Sequence, residues 1–137
     1  MCMANKLKPL IALSVFILNC GSLALADQNN TINTGIYTKE QAKEGAALYK
    51  ANCLICHDKK YFKPVLKTWR GRTLGQLYET MSTTMPETNP AGLPRQNYVD
   101  ILAYILSLSK YSSGDKKLDF RAKALDNIII APRNKRQ

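Results

Sequence analysis

The chain has 137 residues and a single histidine, His57. That scarcity closes off several chemistries. A tetrahedral zinc site needs about four ligands, and here it would have to recruit Cys2 and Cys20 from the far end of the chain. Acidic residues are also few, 10 Asp+Glu against 20 Lys+Arg, which leaves a formal net charge of +10. Outside the first 26 residues no apolar run approaches the ~20 residues needed to cross the hydrocarbon core of a membrane, so the mature chain should have no membrane span. There is no internal repeat, and no parallel βαβ pattern of the kind that frames a thioredoxin-like dithiol. The basic balance does not mark a nucleic-acid binder, because no module of interleaved aromatic and basic residues is evident.

What is present is the run Cys53-Leu54-Ile55-Cys56-His57. It reads C-x-x-C-H, the attachment signature for a c-type haem. Two thiols add across the two vinyl groups of one haem and form thioethers. The histidine directly after the second cysteine then offers the iron a nitrogen ligand. A bare C-x-x-C would also suit a redox dithiol or half a zinc site. His57, and the lack of nearby partners for a zinc ion, favour one covalent haem c.

Met1 to Ala26 reads as a secretory signal peptide. Lys6 and Lys8 form its basic start, residues 10–18 its apolar centre, and Ala24-Leu25-Ala26 a cleavage site. Cleavage there predicts a periplasmic protein. Two alternatives are an uncleaved leader acting as an anchor, and cleavage before Cys20 to leave a lipid-anchored cysteine. Removal of the leader takes Cys2 and Cys20 with it, so the haem would use both remaining cysteines and no disulfide could form.

Residues 27–37, polar and rich in Asn and Thr, are expected to be a flexible lead-in. Residues 38–130 should form one domain, and 131–137 a basic, frayed tail. Thr38 with Gln41 fits a capping box that opens a helix running into the haem motif. Gly45 inside that helix costs up to ~1 kcal/mol against Ala, which implies close approach of another helix. Asp58 to Trp69 is expected to be irregular. Thr73 can cap a short helix through Met81. Residues 85–92 read as a loop in which Pro86 constrains Met85. Pro94 suits a first helical position. The helix from there to about Leu108 should turn Tyr98, Ile101, Leu102, Ile105 and Leu108 inward, with Gln96, Asn97, Asp100 and Ser107 mostly outward.

On these residues the chain resembles the small monohaem class I cytochromes c of bacteria. The resemblance implies an all-α fold, helices and loops around one haem, whose first and last helices cross beside it. Gly45 and Tyr49 stand where that family has its helix-crossing glycine and aromatic. Ile101 to Ile105 is similar to its last helix, with Tyr104 against Tyr49 and Ile101 and Ile105 towards the haem. The segment from Trp69 to Pro86 and the tail from Leu118 to Ile130 are similar to cytochromes associated with quinoprotein alcohol dehydrogenases. Pro94 departs from the family, which commonly has a polar cap there.

The sixth position of the iron separates electron transfer from ligand chemistry. With no second histidine, methionine is the best candidate, and beyond the leader only Met81 and Met85 remain. Met85, on the loop, is the expected axial partner of His57. Met81, on the helical stripe, reads as an apolar filler. An open or lysine-ligated site is the other alternative. The Pro64 carbonyl is a candidate partner for the free nitrogen of His57. Trp69, Arg70 and Arg72 are candidate contacts of the haem propionates. Lys59, Lys60, Lys63 and Lys67 would form a basic rim that guides redox proteins with acidic docking surfaces.

The function expected is one-electron carriage in the periplasm. The donor would be a dehydrogenase, a quinoprotein one if the resemblance extends that far, and the acceptor a respiratory one such as a terminal oxidase. No substrate bond changes, so the chain is not expected to be an enzyme. The rivals are a cytochrome subunit bound within a dehydrogenase complex, and a haem sensor or peroxidase with an open iron site.

Overall fold

A computed structural model describes residues 30–134. The signal peptide expected at residues 1–26, with Cys2 and Cys20, lies outside those residues. The regular structure among the described residues is helical, apart from isolated β-bridges. α1 spans Lys39–Asn52, α2 Phe62–Thr68, α3 Leu74–Thr84 and α4 Arg95–Leu108, followed by a 3-10 helix, Arg121–Asn127. α1 and α4 form the main helix pair.

Gly45 explains how that pair closes. A Cβ added there would collide with the backbone carbonyl of Asp100 on α4. Only a hydrogen at this position lets the two helices approach so near. One turn on, the rings of Tyr49 and Tyr104 meet edge to face at 5.3 Å, as the resemblance implies. Behind the crossing, Ile101, Leu102, Ile105 and Leu106 are all buried, with Leu74 and Leu77 of α3 in the same core.

The start of α1 differs from the expected capping box. The Thr38 hydroxyl accepts from the Gln41 N–H at 3.1 Å, but the Gln41 side chain does not reach back to Thr38. It is fully buried, at 0% exposure. Its amide nitrogen donates to the Asp100 carboxylate and to the Leu118 carbonyl, both at 2.9 Å, and its oxygen accepts from the Leu118 N–H at 2.8 Å. One amide thus joins α1, α4 and the C-terminal segment. Asp100 was expected outward. It is only 6% exposed, and Gln96 also donates to it at 2.8 Å. A buried carboxylate is tolerable where hydrogen bonds satisfy it, and a period-based reading cannot see those donors. The complete capping box belongs to α3, where Thr73 and Gln76 exchange bonds of 3.1 Å.

Other differences have local causes. The stretch expected to be irregular contains α2. Pro64 stands in its first turn, where a missing N–H leaves no bond unmade. Pro94 is the N-cap of α4 and not its first helical residue, and its carbonyl accepts from Asn97. Residues 30–37 are not a loose lead-in. Ile32 and Tyr37 are buried, and the Tyr37 hydroxyl donates to the Tyr111 carbonyl. The segment Ile128–Ile130 explains why. It bonds on one side to Asn30 and Ile32, and on the other to Gly71, Arg72 and Leu74, at 2.8–3.1 Å. Ile128 and Ile130 face the core while Ile129 faces out. The tail is tied as far as Asn134, whose N–H donates to Asn33, and residues 135–137 lie outside the described part. Among the described residues no helix is long and apolar enough to cross a membrane.

Candidate functional site

The motif winds directly off the end of α1. The Cys53 N–H bonds to the Tyr49 carbonyl at 2.9 Å, and the Cys56 and His57 N–H groups both bond to the Cys53 carbonyl, at 3.1 and 2.8 Å. These tight turns bring both thiols and the imidazole to one place. Tyr49, whose ring is locked in the helix crossing, shares its hydroxyl between the carbonyls of His57 and Asp58, at 2.7 and 3.0 Å. Burial pushes the Tyr49 phenol up to about 12, so it holds its proton for these acceptors across the physiological range.

The His57 ring rests in an aromatic bracket. Tyr61 lies 4.1 Å away and tilted, and Phe62 stands edge-on at 5.8 Å. Its Nδ1 is buried and has no hydrogen-bond partner among the described residues. The bond expected from the Pro64 carbonyl is therefore not formed. Tyr61 and Phe62 are the orienting residues that the sequence reading missed. The signal available for them was two aromatics shortly after the only histidine.

Met85 caps the C-terminal end of α3 in extended conformation (φ −119°, ψ 152°), with its N–H on the Met81 carbonyl at 3.0 Å. Its peptide bond to Pro86 is cis. Tyr98 of α4 is only 2% exposed and donates its hydroxyl to the Met85 carbonyl at 2.6 Å. One cavity is lined by Cys53, Cys56 and His57 together with both Met81 and Met85. Its apolar walls come from Phe62, Leu93 and Ile101, and Ile55, which is 93% exposed, also lines it.

Trp69, Arg70 and Arg72 do not line that cavity. The Arg72 guanidinium lies over the Trp69 ring, 4.9 Å from its centre, and the Arg72 carbonyl accepts from Ile130. This basic segment therefore anchors the C-terminal strap. Lys59, Lys60, Lys63 and Lys67 are exposed around α2. Ile105 is buried in the helix pair and does not face the cavity.

The residues present fit a covalent haem. Two free cysteines, an adjacent imidazole with an unpartnered nitrogen, and thioethers share one mainly apolar cavity. Burial pushes the Cys53 thiol up. Among the described residues no cluster of three or more His, Cys, Asp or Glu side chains could hold a metal ion by itself.

Fold and cavity together define a class, a small all-helical c-type cytochrome domain. Within that class, residues 40–105 match the family described as cytochrome C oxidase, cbb3-type, subunit III. The matched span runs from the first turn of α1 into the last turn of α4, and so contains the haem motif and both methionines. Neither the curated proteins nor the solved structures gave a match to the chain.

Proposed function

We propose that this chain is a periplasmic one-electron carrier of the class I cytochrome c kind, with one haem c held by Cys53 and Cys56 and ligated by His57 and Met85. The observation that carries the reading is the cavity that gathers those four side chains. When bound, the haem supplies an iron that cycles between ferric and ferrous states. The protein supplies the rest. The two thiols fix the cofactor, Tyr49 and the Tyr61–Phe62 bracket hold His57, and the apolar walls keep water from the iron. The Met85 thioether would offer the haem iron a ligand that raises its potential. Met85 is preferred over Met81 because it caps the C-terminal end of α3 and borders the loop, while Met81 belongs to the buried helical stripe.

A second reading concerns the assembly. The matched family is described as a subunit of a cbb3-type oxidase, which supports a place in a respiratory complex on the acceptor side. The donor proposed from the resemblance is a dehydrogenase, with a quinoprotein alcohol dehydrogenase as the specific candidate. The leader at residues 1–26 is the proposed route to the periplasm. Contact of Trp69, Arg70 and Arg72 with propionates gains no support from the cavity lining.

Spectroelectrochemical titration of the haem-loaded protein tests the carrier reading. It should follow a one-electron curve, and the ferrous protein should bind no carbon monoxide. Rapid carbon monoxide binding would instead identify an open iron site and a sensor or peroxidase.

A further inference from the structure

The loop between Met85 and Leu93 closes one side of the cavity, yet it is weakly held within itself. Its internal backbone bonds are two turns, Asn89 to Pro86 at 2.9 Å and Gly92 to Asn89 at 3.0 Å. Ala91 sits at φ +58°, a left-handed conformation that residues other than glycine adopt only when their surroundings impose it. Something outside the loop must hold its ends.

Among the described residues, that role falls to the Tyr98 hydroxyl. It donates to the Met85 carbonyl at 2.6 Å and accepts from the Leu93 N–H at 3.3 Å. Both ends of the loop thus converge on one buried oxygen of α4, one turn into that helix. Donor and acceptor capacity are both used. Met81 gains nothing from this arrangement, since its backbone belongs to α3.

We propose that Tyr98 is the positioning residue for Met85, and that its hydroxyl sets how readily the Met85 thioether gives up the sixth position of the iron. The proposal rests on the reading of Met85 as the axial ligand. Tyr98 need not touch the iron. It acts by holding the backbone from which the Met85 side chain projects and by closing the loop at its other end.

The test uses the full chain matured with haem, in the ferric state, titrated with imidazole, which must displace the methionine to bind. Tyr98→Phe should keep the weak red methionine-to-iron band at neutral pH but tighten apparent imidazole binding roughly tenfold, the scale typical of losing a partner that supports a metal ligand. Exchange of the Leu93 amide should accelerate in parallel. Tyr78→Phe removes a phenol from neighbouring α3 that bonds neither end of the loop, and should stay within about twofold of the parent. If Tyr98→Phe binds imidazole like the parent while Met85→Ala binds it far more tightly, the proposal is overturned and Met85 ligation stands. If Met85→Ala keeps the red band, the ligand reading itself fails and the proposal falls with it. Should Tyr98→Phe not mature, 3-fluorotyrosine at position 98 keeps the ring and hydroxyl but makes a stronger donor. Weaker imidazole binding than the parent then supports the proposal, and unchanged binding overturns it.

Discussion

Met81 and Met85 both border the cavity, yet their backbones differ in kind. Met81 is bonded into a helix and buried in the core, and Met85 caps that helix where the chain turns into the loop. Met85→Ala should therefore abolish the red methionine-to-iron band and lower the reduction potential, while Met81→Ala should keep the band and reduce stability by about 2–5 kcal/mol, as other buried truncations do. Visible spectra and thermal melts of the two haem-loaded variants separate the roles, and the opposite pattern would move the ligand to Met81. At the same scale, the motif Cys53-Leu54-Ile55-Cys56-His57 was legible from sequence because its chemistry is local. The orientation of His57 was not. The Pro64 carbonyl was the expected partner, but Pro64 is absorbed into α2, and the aromatic rings of Tyr61 and Phe62 bracket the imidazole instead.

At the scale of elements, the contact between α1 and α4 depends on a hydrogen atom at Gly45. Overpacking of a tight contact typically costs about 1–3 kcal/mol, and here the obstacle would be the Asp100 backbone, which cannot rotate away as a side chain would. Gly45→Ala should fall at or beyond the upper end of that range, despite the better helix propensity of alanine. Denaturant unfolding of haem-loaded protein measures it, and a stabilised Gly45→Ala variant would contradict the close crossing. The starts of α1 and α3 and the inward stripe of α4 could be read from caps and period. α2 could not, because seven basic and mixed residues around a proline carry too little pattern. The Gln41–Asp100–Leu118 network was hidden for a different reason. Its members lie far apart in sequence, and Gln41 has an obvious local use as half of a capping box that the fold does not employ.

At the scale of the whole molecule, the excess of positive charge bears on partners. Lys59, Lys60 and Lys63 are exposed on the segment that follows the haem motif. Steering by such a patch can change association rates by about 10–10³ at low salt, and it fades as the screening length shortens to about 8 Å at physiological ionic strength. Reversing the three lysines to Glu should slow electron transfer from an acidic donor strongly at low salt and weakly at high salt, with the potential nearly unchanged. Stopped-flow reduction across a salt series reads this out, and a rate indifferent to salt would sink the acidic-partner reading. The claim beneath all of this is that Cys53 and Cys56 hold one haem covalently. Extraction of the denatured protein with acidic acetone, followed by the mass of the intact chain, tests it most directly. The account predicts that the colour stays with the protein, that the chain carries the mass of one haem, and that replacing both cysteines with alanine abolishes both. Haem that leaves with the solvent, or a chain of unmodified mass, would contradict it.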